Sequence, residues 1–290
     1  MDELFTLTIL YTYSIGGRFE TLPRLATIIR LEQAAAPGPV LLLDGGNLCA
    51  REAWPCWVTH GRAGLSVLEA MGYDAAVLND EELSFTRQVP GPAGRRIAES
   101  FARQTTMMPL LSRALSDVPG IEKDLIFERG DLAFGVTVGD VSPRPPIRPG
   151  SLLSRISRSD PNPVLREEAD LIIALDFHGA ARPGLPFLRS SAADIVLRPD
   201  EAQNRRDPPA LLVAPYHIDP SLTVHEQDRR VIPCTDDIPP DPTISAVLEL
   251  VMDEAKRLRV KAGLDKDAPP PGPRPAPPGD LPDWLKSSEL

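Results

Sequence analysis

Residues 39–47 read Pro-Val-Leu-Leu-Leu-Asp-Gly-Gly-Asn. Val40 to Leu43 are all apolar, so alternation along a strand would place hydrophobic side chains on both faces. A strand of that kind belongs inside a sheet covered on each side. An apolar, β-branched run, Phe5 to Thr12, precedes it. Between the two, Leu22, Leu25, Ile28 and Ile29 recur at helical spacing within Leu22–Gln33, and Pro23 suits a first helical turn. After the quoted stretch, Gly64–Met71 reads as a short helix and Ala75–Leu78 as a third strand. Strand, helix, strand, helix, strand is the pattern of a parallel α/β sheet.

Downstream the pattern loosens. Gly91, Pro92 and Gly94 mark a loop, and Arg95–Gln104 has the makings of a helix. Leu125–Glu128 and Leu132–Val138 read as strands joined by a turn at Arg129-Gly130-Asp131. Four prolines between Val141 and Pro149 call for an extended loop. Asp170–Leu175, Ala193–Leu197 and Leu211–Ala214 are three more strands. Asp241 caps a helix that Pro242 opens and Gly263 closes, with Ile244, Val247, Leu248, Val251, Ala255 and Leu258 along one stripe. That stripe is expected to pack on the sheet.

Residues 1–263 are read as one domain and 264–290 as a proline-rich flexible tail of polyproline type. The tail carries Leu281-Pro282-Asp283-Trp284-Leu285, a small apolar cluster that either anchors a protein partner or folds back on its own domain. A formal net charge of −10 argues against nucleic acid or an anionic membrane as partner. The acidic start, Met1-Asp2-Glu3-Leu4, is not of signal-peptide type, which makes a cytoplasmic location the expectation. Three cysteines without a CxxC pair give no disulfide framework.

Several segments resemble the 5′-nucleotidase branch of the calcineurin-like metallophosphoesterases. Leu7–Arg18 reads LTILYTYSIGGR, similar to that family's LTILHTNDVHGR. Residues 41–47, LLLDGGN, resemble LLLDAGD; residues 72–83, GYDAAVLNDEEL, resemble GYDAVTLGNHEF. MPLLSRAL (108–115), GDLAFGVTVG (130–139), DLIIALDFHG (170–179) and DIVLRPDEA (194–202) follow in family order. The resemblance spans about residues 5–230 and implies a four-layer α/β/β/α sandwich. It also implies a catalytic centre in which two metal ions activate water and clamp a phosphate.

Position by position, the family's ligands are missing. Ser14 and Gly16 stand where the family has an Asp and a His, and Asn47 where it has the bridging Asp. Asp80 replaces the Asn ligand, and Glu81 the His that steadies the transition state. Phe177, Asp200 and Ala202 replace three further His. The chain is therefore expected to be a pseudoenzyme, with no catalytic residue and no cofactor. Asn47, Asp80, Asp176, His178 and Asp200, with Asp44 and Glu81 beside them, form either a solvated acidic rim or a residual site for one hard cation such as Mg²⁺ or Ca²⁺. His178 lies one place beyond a lost ligand, so a small slip would restore it.

The remaining candidates are Cys49, Cys56 and His60, whose C-x6-C-x3-H spacing matches no common zinc pattern and suggests reduced, partly buried residues. His217 and His225 read as residues near a sheet edge. Gly16-Gly17 and Gly45-Gly46 follow strands and are placed to offer backbone N–H groups to a phosphate, with Arg18 the nearby cation. The leading expectation is an inactive binding or scaffolding module that uses its old cleft or the Trp284 and Leu285 tail. The alternatives are a residual metal-dependent phosphoesterase and a metal- or nucleotide-sensing module.

Overall fold

The computed structural model describes residues 4–87, 91–139, 163–176, 193–198 and 208–263. The large sheet is built first. Strands β1 (Phe5–Thr12), β2 (Val40–Asp44), β3 (Ala75–Val77), β4 (Leu110–Leu111) and β5 (Ile121–Glu122) run parallel in that order. The small sheet follows as β6 (Asp124–Arg129), β7 (Leu132–Gly139), β8 (Leu171–Asp176) and β9 (Ile195–Leu197). The chain then returns to the large sheet. β10 (Ala210–Ile218) lies antiparallel against β1, and β11 (Val224–Glu226) and β12 (Arg230–Pro233) both pair with β10.

Alternation along the strands explains why the opening runs are apolar throughout. Leu7, Ile9, Tyr11, Leu41 and Leu43 face Phe134, Val136, Leu171 and Ile173 of the small sheet. Leu10 and Leu42, on the opposite face, join the helices in a second core. Each fully buried Leu of this kind stabilises the fold by roughly 1.5–3 kcal/mol. The helices over the large sheet are α1 (Leu22–Ala35), α2 (Trp54–Val58), α3 (Leu65–Met71), α4 (Asp80–Arg87) and α5 (Pro92–Ala102). On the far side of the small sheet lies α6 (Pro163–Glu168), whose Leu165 sits 2.8 Å from where a Cβ on Gly135 would stand. The layers are therefore α/β/β/α, as the sequence implies.

The last described helix, α7 (Pro242–Lys261), matches its sequence signals. Asp241 accepts from the Ile244 N–H at 2.9 Å, Pro242 opens the first turn, and Gly263 takes φ +68° beyond its end. Ile244 and Ala255 are fully buried. The stripe packs on α1, α2 and α3 rather than directly on the sheet, because those helices already cover that face.

Two local expectations change. Pro92 and Gly94 are not in a loop: Pro92 opens α5, where a missing N–H costs nothing, and Gly94 is buried inside it. The turn at Gly130-Asp131 is as expected, with Gly130 at φ +60° and Arg129 opposite Leu132. The loop expected over 141–149 and the tail over 264–290 lie outside the described residues. Among the described residues, no helix is long and apolar enough to cross a membrane.

Candidate functional site

Parallel strands align their C-terminal ends, so the loops leaving β1 and β2 meet on one edge of the large sheet, where open α/β sheets bind ligands. Both loops bend through left-handed residues: Ser14 (φ +59°) and Gly16 after β1, Gly46 (φ +92°) and Asn47 (φ +54°) after β2. They are zipped together. Gly45 N–H donates to Thr12 O at 2.8 Å, and Ser14 N–H to Gly46 O at 2.9 Å. Gly16 N–H and Gly17 N–H donate to Asn47 O and Leu48 O, each at 2.8 Å. Gly46 N–H donates to Asp44 Oδ1 at 2.9 Å. All four glycine N–H groups are thus already used inside the fold, which corrects the expectation that they face a phosphate.

Glycine is required at two of these positions. A Cβ on Gly45 would stand 2.1 Å from the Tyr11 hydroxyl, and one on Gly46 would stand 2.8 Å from Val77 O. The tight approach lets the loops close over the strand ends. They leave a cavity of about 230 Å³ lined by Ser14, Gly16, Arg18, Asn47, Cys49 and Glu52, among others. Arg18 is tied down at its rim, donating to Ile15 O and Ser14 O at 2.9 Å each.

The one carboxylate at the end of β2 does not face this cavity as a ligand would. Asp44 accepts from the Thr12 hydroxyl at 2.7 Å through Oδ2, and from Gly46 N–H through Oδ1. Thr12 Oγ1 lies 2.9 Å from the Tyr73 hydroxyl, which donates to it because the Thr12 proton goes to Asp44. Burial pushes Asp44 up to about 7, against the two hydrogen bonds that lower it. Tyr73 is raised well above its ordinary value, first by burial and then by Asp44.

A second buried carboxylate, Glu82, is not among the residues the sequence motifs single out. It accepts from Asn47 N–H at 3.3 Å and Asn79 N–H at 3.2 Å through Oε2, and from Cys49 N–H at 3.1 Å through Oε1. Glu82 therefore clamps the loop after β2 to the start of α4. Burial raises it to about 7. The signal was present in the sequence: Asn79-Asp80-Glu81-Glu82 has the capping-box form, with an acid three residues past the cap.

Asn47 lies in the cleft as expected and is 7% exposed. Its Nδ2 donates to the Tyr13 hydroxyl at 2.8 Å, and its Oδ1 has no hydrogen-bond partner among the described residues. Asp80 opens α4 three residues past β3, with Glu81 next in the chain, and Asp176 ends β8. All three are at C-terminal strand ends or just beyond, as the sequence implied. Phe177, His178, Asp200 and Ala202 lie outside the described residues.

Two dications need anionic or imidazole donors around them. Among the described residues the cleft lining offers a hydroxyl at Ser14, an amide at Asn47, no side chain at Gly16 and a single carboxylate, Glu52, and this donor set does not fit a metal pair. Among the described residues, no group of three His, Cys, Asp or Glu is placed to hold one ion. Cys49 and Cys56 are not reduced: they form a disulfide with Cα atoms 5.5 Å apart. The seven-residue separation hid this, because the loop folds back on itself at α2. His60 does not join them as a ligand; burial and then Arg62 push it down to about 4. His217 sits within β10 and His225 on edge strand β11.

No protein-family model matches the chain, and no curated protein does. Solved structures do. A 5′-nucleotidase precursor from Thermus thermophilus superposes with TM-score 0.56 at 15% identity, over 87% of this chain and 59% of that one. The NAD nucleotidase NadN of Haemophilus influenzae gives 0.54 at 9%, over 88% and 61%. The sulfate thiohydrolase SoxB of Thermus thermophilus gives 0.54 at 13%, over 89% and 62%. The chain thus has the calcineurin-like metallophosphoesterase fold. Within that class, the likeness is to the 5′-nucleotidase type, and the chain spans about three fifths of the length of the structures it resembles.

Proposed function

We propose that this chain is a catalytically inactive, 5′-nucleotidase-like protein that acts as a binding or scaffolding module. One observation carries the reading. At the three cleft positions where the family motif has ligands, this chain has Ser14, no side chain at Gly16, and Asn47, and the described lining adds one carboxylate, Glu52. A neutral amide, a hydroxyl and one carboxylate are too few donors to hold the paired dications that would activate a water. Asp44, at the end of β2, is committed to Thr12 and Gly46, and Glu52 is the one carboxylate in the described lining. What remains is a lined cavity with Arg18 at its rim, suited to receiving a ligand or a segment of a protein partner. The tail residues Trp284 and Leu285 are the second proposed contact for that partner.

A residual metal-dependent phosphoesterase is the second reading, and the observation that favours it is Asn47 Oδ1, which has no hydrogen-bond partner among the described residues. An amide oxygen in a cleft that also holds the Glu52 carboxylate suits one hard cation such as Mg²⁺ or Ca²⁺. Purified protein incubated with an aryl phosphate and with nucleotides, in Mg²⁺, Mn²⁺ or Ca²⁺, separates the two. The inactive reading expects no turnover above buffer. Metal-dependent turnover that disappears in Asp80→Ala would establish the second reading instead. Comparing the proteins recovered with residues 1–290 and with 1–266 tests the tail: identical sets would remove it as the anchor.

A further inference from the structure

The wall of the cleft is held by a covalent bond. The chain leaves β2, passes Asn47 and Leu48, and reaches Cys49, which is linked to Cys56 in α2. Both residues are fully buried. Cys49 and Glu52 line the cavity, so the loop that the disulfide closes is the cavity's own side. Opposite it stands Gly17, where an added Cβ would meet Ala53 Cβ at 2.3 Å and Cys56 Sγ at 3.4 Å. Polar ties hold the same loop from outside: Cys49 N–H on Glu82, and Arg51 Nε on the Ser84 hydroxyl at 2.8 Å. The third cysteine is kept out of this chemistry. Cys234 is buried, its sulfur lies 3.4 Å from Thr21 O, and burial pushes its thiol up to about 11. A thiol held in that state supplies little thiolate for exchange.

We propose that the Cys49–Cys56 disulfide is a permanent staple that fixes the shape of the cleft wall, and that the chain acquires it in an oxidising compartment. Disulfides of this kind persist outside the reducing cytosol. In forming the bond, the two cysteines lose two protons and two electrons. A disulfide-bearing oxidoreductase accepts them through a mixed disulfide and leaves with two thiols. Because both sulfurs are fully buried, oxidation precedes closure of the wall, and later reduction waits for the loop to open. The inference holds whether or not the cleft is catalytic, and it replaces the cytoplasmic expectation.

The test has two arms. Full-length protein is produced by export to an oxidising compartment and denatured in guanidinium without reductant, and its thiols are titrated. One thiol per chain is expected, rising to three after reduction; three at the outset would overturn the staple. In the second arm, trypsin cleavage after Arg51 is timed on native protein. The Cys49→Ser/Cys56→Ser pair is expected to be cut at least tenfold faster than the parent, and the parent's fragments to stay joined until reduced. Equal rates would overturn the role in the wall. If circular dichroism shows the double variant unfolded, parent reduced with a phosphine and still folded provides the same comparison, with the same two outcomes.

Discussion

Asp44 accepts the Thr12 hydroxyl at 2.7 Å, across the pair of strands whose ends form the cleft. The contact binds the terminus of β1 to that of β2 and turns the carboxylate into the fold. On the proposed reading, the anion this cleft lacks is the one that would stand at Asn47, because Asp44 is a structural acceptor.

Asp44→Ala should therefore act on stability. It strands the Thr12 hydroxyl and the Gly46 N–H in a buried setting, at a cost of about 2–4 kcal/mol. Urea unfolding followed by tryptophan fluorescence would measure it. A loss under about 0.5 kcal/mol would show that the contact does not organise the loops.

Stability should fall as pH rises between about 4.5 and 7. Asp44 and Glu82, raised to about 7, each hold a proton there that the unfolded chain releases. Their contribution is present below the unfolded carboxyl range and is lost as pH passes about 7. His60, lowered to about 4, works the other way by lacking one proton that the unfolded chain holds up to about 6.5. Two protons gained against one lost leaves a net decline, ~1–3 kcal/mol across the window. Unfolding midpoints at pH 5 and pH 7.5 would show it. Glu82→Gln removes one carboxyl and should leave the profile nearly flat; a decline as steep as the parent's would contradict the assignment.

Gly46→Ala should cost about 2 kcal/mol or more, since φ +92° strains any side chain and the new methyl meets Val77 O and Asn79 Nδ2. Gly72→Ala provides the control. It also has a positive φ but nothing within 4 Å, so it bears the strain without the collision and should be milder in the same thermal melt.

Removing the disulfide with Cys49→Ser/Cys56→Ser should lower stability by about 2–3 kcal/mol, the loop-closure value for so short a loop. Reductant should then have no further effect on the variant's unfolding midpoint, whereas it should lower the parent's.

Much of this was legible in the sequence because it rests on periodicity. The apolar run at Val40–Leu43 called for a strand with two buried faces, and it has them. The Asp241, Pro242 and Gly263 signals marked α7 at both ends. Ser14, Gly16 and Asn47 could be placed at the cleft because the residues around them resemble a known motif. What escaped depends on contacts distant in sequence. No spacing rule brings Thr12 to Asp44 and Tyr73, and none shows that the glycine N–H groups are already used by the neighbouring loop. The pairing of β10 with β1 joins strands at opposite ends of the domain, Phe5 opposite Ile218, after the chain has left the large sheet and come back. The capping box marks Glu82 as an acceptor at the start of α4, but its grip on Asn47 and Cys49 depends on a loop some thirty-five residues away in the chain.

The most direct test is the metal content of the folded protein. Chelator-treated protein is loaded with Mn²⁺ at micromolar concentration, passed through a desalting column and analysed for bound metal. The account predicts less than one ion per chain, and the same trace amount in Asp44→Ala. Two ions per chain, retained through desalting, would contradict it.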